Sequence, residues 1–267
     1  MFSLNNLNIQ YPHALVERVS VGWNIFYAGA VPLISLLLVL GVLNAGVHKF
    51  QVTILGLFVS YVNSPRCPKA LTHYCRTRIA LTIFITDIVK NAVGRTRPDL
   101  IARCKPAPGT PTDKLVTIDV CTETDHHILN DGWRSFPSGH SSFAFSGLGF
   151  LALFFAGQLQ VFLPRTDLGR ALIALAPLLG AAMIAISRCE DYRHDVYDVT
   201  FGSILGMTIA YFSYRRYYPR LHSAKCDEPF PSREKSFNEG FGKLKNDEEA
   251  VIRGAREFEM DASDDGS

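Results

Sequence analysis

The chain alternates between long apolar stretches and shorter polar ones, on a scale too coarse for strands or for one-sided soluble helices. Phe26–Val47 is almost uncharged and has the length, about 20 residues, at which an α-helix crosses bilayer hydrocarbon. Ser141–Leu163 forms a second such span, Ala171–Ile186 a shorter third and Val199–Tyr214 a last one. Two half-length apolar runs, Gln51–Ser60 and Ile79–Val89, lie between the first and second of these. Neither crosses alone; joined directly they make one span of ordinary length that ends on Lys90. The interruption is Tyr61–Arg78, "YVNSPRCPKALTHYCRTR", which carries Arg66, Lys69, Arg76 and Arg78 among two prolines. It reads as a translated intron or, if genuine, as a cytoplasmic loop beside a re-entrant apolar segment. The pattern predicts an all-α, multi-span membrane helix bundle.

Polar segments complete the layout. Residues 1–25 form an N-terminal segment, 26–220 the membrane domain with its insert at 61–78, and 221–267 a cytoplasmic tail. The tail is charged and poor in apolar residues, a composition that does not bury enough surface to fold. Lys90–Gly139 has little period-2 or period-3.6 order and reads as a long extramembrane loop, of the kind that is functional or disordered. His48–Lys49, Arg165 with Arg170, and the Arg215–Arg220 region fall at alternate ends of successive spans. The positive-inside tendency puts all three on the cytoplasmic side. Lys90–Gly139 and Ser187–Asp198 then share the luminal or extracellular side.

Composition agrees with a membrane protein: 48% of the 267 residues are hydrophobic and 19% charged. A net charge of +2 gives no reason to expect nucleic acid as a partner. The six cysteines show no CxxC spacing, which argues against a zinc or redox centre. Cys104 and Cys121 flank one polar loop and pair if that loop faces an oxidising compartment. The N-terminus lacks the basic region, apolar core and cleavage site of a signal peptide.

Four span ends meet at the luminal side, and their ionisable residues are Lys90, Arg95, Arg97, His140, Arg188, His194 and Asp198. A set dominated by cations, with two imidazoles and one carboxylate, suits a phosphate. Ser138 and Gly139 stand where a helix begins, as a cap and a site of close backbone approach, and free N–H groups there favour an anion. His194 and Asp198 are four apart, so a helix puts them on one face, where a carboxylate holding one imidazole nitrogen frees the other to attack. A metal site is the rival reading, with Glu190, Asp191 and Asp195 nearby. The surrounding arginines and lysine count against a cation.

Three motifs stand in order: Lys90 with six residues before Arg97–Pro98; Pro137–Ser138–Gly139–His140; and Ser187–Arg188, five residues, His194, three residues, Asp198. Together they resemble the signature of the type 2 phosphatidic acid phosphatase superfamily. This lipid phosphate phosphatase group is similar to vanadium haloperoxidases and bacterial acid phosphatases. The resemblance covers roughly Gln10 to Pro219 and is greatest to the fungal branch acting on diacylglycerol pyrophosphate and phosphatidate. It implies His194 as a nucleophile forming a phosphohistidine, Asp198 as its orienting carboxylate and His140 as general acid and base. Lys90, Arg97, Ser138, Gly139 and Arg188 are implied as the phosphate clamp, with no cofactor and no metal. The chain shows one span fewer than the family pattern, which places the N-terminus on the luminal side.

The resemblance leaves the substrate open among phosphatidate, diacylglycerol pyrophosphate, isoprenoid or dolichyl pyrophosphate, sphingoid-base phosphate and sugar phosphate. The interrupted span keeps a catalytically inactive membrane scaffold or transporter as the rival of another class. Vacuolar, endoplasmic reticulum and plasma membranes fit equally, and the oligomeric state is not readable.

Overall fold

The computed structural model describes residues 1–61, 81–164 and 166–231. Apart from Tyr61, the expected insert lies outside the described residues, as do Arg165 and the tail from residue 232. The membrane helices are α1 (Val21–Val42), α2 (Val47–Tyr61) and α3 (Leu81–Val93). Two short helices follow, α4 (Leu100–Cys104) and α5 (His126–Asp131), then α6 (Gly139–Gln158), α7 (Leu168–Glu190) and α8 (Val196–Tyr217). Among the described residues three helices, α1, α6 and α7, are long and apolar enough to cross a membrane. The protein is therefore mainly helical, with the build of a multi-span membrane bundle. Compared with the sequence-based spans, α1 starts five residues earlier, at Val21, and contains a π-helical stretch at Phe26–Ala30. The helix α7 continues past its apolar run to Glu190 and so carries Arg188.

Helix α6 is the central post. It is apolar all round, as a fully surrounded helix is, and Ser141, Ser142, Ala144, Ser146, Gly147 and Gly149 on it are buried. Small residues let neighbours approach closely. On α8, a Cβ at Gly202 would meet Ser138 O at 2.6 Å, and one at Gly206 would meet Ser142 O at 2.2 Å. Only glycine fits at either place. This packing sets the start of α8 beside the start of α6. By contrast α1 and α7 expose Leu38, Leu172, Leu179 and Met183, apolar side chains suited to a lipid surround.

Helices α2 and α3 run one after the other along α6. Ser60 near the end of α2 hydrogen-bonds Ser146 O at 3.0 Å, and Thr82 near the start of α3 reaches Ser146 Oγ at 3.1 Å. Thr86 pairs with Ser142 one turn further on, at 3.0 Å. Interhelical hydroxyl bonds of this kind hold segments together where no water competes. The two halves thus occupy the length of a single span and deliver Lys90 to the same end of α6 as His140.

A cap covers that end. The stretch Lys90–Gly139 is more ordered than its sequence suggests, because its elements are too short to leave a period. Strand β1 (Phe2–Ser3) pairs antiparallel with β2 (Leu115–Val116), and Phe2, Ile9, Leu100, Cys104, Val116 and Leu129 form a small core. Cys104 and Cys121 are disulfide-bonded. A larger core of Leu36, Leu40, Leu57, Phe150, Phe154, Tyr214 and Tyr218 fills the bundle toward the far end of α6. Met1–Pro229 make up one compact unit; a second, Phe230–Ser267, is described only at its first two residues.

Candidate active site

Beneath the cap lies a cavity of about 540 Å³. Lys90 from the end of α3, Arg97 after it, Gly139 and His140 from the start of α6, Arg188 from the end of α7 and His194 before α8 all line it. The four span ends expected to meet therefore do meet. Among the described residues five cations line this space, Arg103 and Arg193 being the two not singled out in the sequence, against the carboxylates of Glu17 and Asp131. That excess of positive charge in a confined, partly dry space suits a compact anion.

His194 is buried, and its position differs in one respect from the sequence-based picture. The expected pair on one helical face does not exist, because α8 begins only after His194. Asp195 is the helix N-cap and Asp198 the third residue, joined in a capping box. Asp198 is brought near His194 by this turn, yet His194 Nδ1 lies 3.6 Å from Asp198 Oδ2, beyond hydrogen-bond range. Ser135 stands between them: its hydroxyl donates to Asp198 Oδ2 and lies 3.3 Å from His194 Nδ1. Arg95, left outside the predicted set, donates from Nη1 to Asp198 Oδ1 at 2.8 Å and from Nη2 to Asp195 Oδ2 at 2.7 Å. Burial pushes the His194 imidazole below its ordinary pKa, Asp198 pulls it the other way, and the charges of Arg97 and Lys90 add to the depression.

The guanidinium groups are held in place by the protein. Arg97 donates from Nε to Asp131 O and from Nη2 to Asp131 Oδ1, both at 2.8 Å, and from Nη1 to Arg193 O at 3.1 Å. Arg188 donates from Nη1 to Glu17 Oε2 at 2.9 Å, from Nη2 to Asp191 Oδ2 at 2.8 Å and from Nε to Ser187 Oγ at 3.3 Å. Each guanidinium has five N–H donors, so each keeps some for a ligand. Burial raises the Asp131 pKa, but Arg97 and Arg103 outweigh it and hold the carboxyl below its usual range.

Ser138 caps α6: its Oγ accepts from Ser141 N, and its own N–H donates to Asp198 O at 2.9 Å. Its hydroxyl therefore serves the helix start, while Gly139 and His140 face the cavity. His140 Nε2, Arg193 Nε and Arg103 Nη2 are buried without a hydrogen-bond partner among the described residues. Since buried polar groups are normally paired, three orphans around one cavity are groups that a ligand would satisfy. Among the described residues no group of three or more His, Cys, Asp or Glu is placed to hold a metal. An anion thus matches the donors present better than a cation does.

Sequence reasoning missed Ser135, Glu17, Arg103, Asp131 and Arg193. Arg193 adjoins His194 and Ser135 lies two residues before Pro137, which was the available signal. Glu17, Arg103 and Asp131 lie in segments without periodicity and carried none.

Residues 71–221 match the PAP2 superfamily. Diacylglycerol pyrophosphate phosphatase 1 of Saccharomyces cerevisiae is 39% identical over 234 residues, covering 86% of this chain and 73% of that protein. A probable diacylglycerol pyrophosphate phosphatase 1 of Schizosaccharomyces pombe is 38% identical, covering 85% of this chain and 75% of its own length. Lipid phosphate phosphatase 2 of Arabidopsis thaliana is 37% identical over 71% of this chain and 61% of its own. No solved structure matches. With the family match spanning more than half the chain and the yeast relatives aligning along most of it, the chain belongs to the PAP2 superfamily.

Proposed function

We propose that this protein hydrolyses lipid phosphates without a metal, converting phosphatidate to diacylglycerol and diacylglycerol pyrophosphate to phosphatidate. The observation that carries the reading is a buried His194, backed by Ser135 and Asp198, in the wall of a five-cation cavity that also presents the unpaired Nε2 of His140. The yeast relatives' names point to the same substrates.

His194 Nε2 attacks the terminal phosphorus, and the bond to the leaving oxygen breaks. His140, protonated, gives its proton to that oxygen, so diacylglycerol or phosphatidate departs neutralised at the leaving atom. Lys90, Arg97 and Arg188, with the Gly139 amide at the start of α6 and Ser138 holding that start in shape, stabilise charge on the equatorial oxygens. Neutral His140 then takes a proton from water, whose oxygen attacks the phosphohistidine. The P–N bond breaks, inorganic phosphate leaves, and both imidazoles return to their starting states.

The cap and site share the luminal or extracellular face in this reading, with residues 26–220 as the membrane domain of the acid phosphatase and haloperoxidase type. Two observations support that side: the Cys104–Cys121 disulfide belongs to an oxidising compartment, and Arg215 and Arg216 stand at the opposite end of α8. Acyl chains stay in lipid while the headgroup reaches the clamp.

The test is phosphate release from phosphatidate, diacylglycerol pyrophosphate and an isoprenoid pyrophosphate by membranes carrying the chain, with excess EDTA and a His194→Ala control. Release that survives EDTA, vanishes in the variant and is fastest for a diacylglycerol lipid is expected. Loss with EDTA, or activity in His194→Ala, would overturn the mechanism; a faster isoprenoid substrate would overturn the substrate assignment.

A further inference from the structure

We infer that Ser135, fixed by Arg95, is a positioning residue that sets the tautomer of His194 and aims its Nε2 at the phosphate. The inference rests on the phosphohistidine reading and adds a part to it that the triple motif does not contain.

Proton accounting carries the argument. Asp198 is ion-paired with Arg95 at 2.8 Å and so is ionised and accepts only. Its Oδ1 is taken by Arg95, and its Oδ2 accepts from Asp195 N–H at 3.1 Å and from the Ser135 hydroxyl. A hydroxyl has one proton, and in Ser135 that proton is spent on Asp198. The Ser135 oxygen, 3.3 Å from His194 Nδ1, is left only to accept. Nδ1 therefore carries the hydrogen, and the lone pair of the neutral ring sits on Nε2, the nitrogen that has to attack. With 3.6 Å between Nδ1 and Asp198 Oδ2, close enough for an ion pair and too long for a hydrogen bond, the hydrogen-bonded link from carboxylate to imidazole runs through the hydroxyl.

Arg95 holds this arrangement from two sides. Its guanidinium bridges Asp195 and Asp198, locking the N-terminal turn of α8, and its carbonyl accepts the Ser135 backbone N–H at 3.0 Å. Ser135 is fully buried, so no water substitutes for its hydroxyl without a cavity opening. Arg95 also bears on placement alone: it does not line the cavity, and its donors point at carboxylates.

The experiment compares Ser135→Ala, Ser135→Thr, Arg95→Lys and His194→Ala in the full-length membrane protein, with kcat and KM determined separately and melting followed in detergent. Ser135→Ala is expected to lower kcat by about 10²-fold or more with KM within about threefold, the pattern of a mis-set catalytic imidazole. Ser135→Thr, which keeps the hydroxyl, restores most of kcat. Arg95→Lys, which cannot bridge both carboxylates, falls between the two. A Ser135→Ala enzyme with near-wild-type kcat while His194→Ala is inactive would overturn the inference alone. So would equal losses in kcat and affinity that Thr does not restore, since these report packing. Activity in His194→Ala would remove the phosphohistidine reading and this inference with it.

Discussion

Thr82 Oγ1 donates to Ser60 O at 3.0 Å although the two residues are 22 apart in sequence. A threonine inside a helix makes this bond to the carbonyl four residues earlier, as Thr86 does to Thr82 O at 2.6 Å. With Tyr61–Arg78 excised, Ile79 follows Ser60 directly and Thr82 becomes the fourth residue after it. The contact thus has the register of one uninterrupted helix. We predict that a chain lacking Tyr61–Arg78 releases phosphate at least as fast as the full chain; an inactive deletion beside an active full chain would refute this. Sequencing the transcript tests the intron reading separately, and messages that all keep those codons would sink it.

Gly206 sets the distance between α8 and α6. A methyl group there would stand 2.2 Å from Ser142 O and 3.0 Å from Phe145 Cβ, so backbone must move. Gly206→Ala is expected to cost about 1–3 kcal/mol, as overpacking does, and to lower kcat at least tenfold by shifting His194 relative to His140. Gly41→Ala, with nothing within 4 Å, is the control and changes neither. Melting in detergent and phosphate release together check both.

Glu17 occupies the clamp. One oxygen accepts from Arg188 at 2.9 Å and the other is ion-paired with Arg193 at 3.0 Å, the kind of cations a phosphate needs. Glu17→Gln is expected to tighten competitive inhibition by inorganic phosphate several-fold, by about 1 kcal/mol. Weaker inhibition would instead show that Glu17 holds the two arginines ready for the ligand.

Burial, reinforced by Arg97 and Lys90 against the pull of Asp198, lowers the His194 pKa from 6.5. Below that ordinary value the unfolded chain binds a proton that the folded chain does not. Stability is therefore lost as pH falls below about 6.5. The wild-type melting temperature is expected to drop more between pH 7 and pH 5 than that of His194→Ala. Equal slopes would count against a neutral, buried His194.

Features that depend on local composition and on fixed spacing were legible before the fold was known. Bilayer crossing needs only a long apolar run, so α1, α6 and α7 were readable, with ends misplaced by a few residues because capping residues such as Ser20 and Ser138 extend helices past their apolar cores. The three motifs were readable because each lies within one short segment, and they named Lys90, Arg97, His140, Arg188 and His194, which line one cavity, and Asp198, which lies beside His194. Their catalytic roles remain our proposal. Tertiary structure alone decided how those residues are held. Glu17 meets Arg188 across 171 positions, Arg97 meets Asp131 across 34, and Ser135 reaches Asp198 across 63. Such contacts leave no period in the sequence, because they are set by the approach of Gly202 and Gly206 to α6 and by a cap whose elements are each too short to announce themselves.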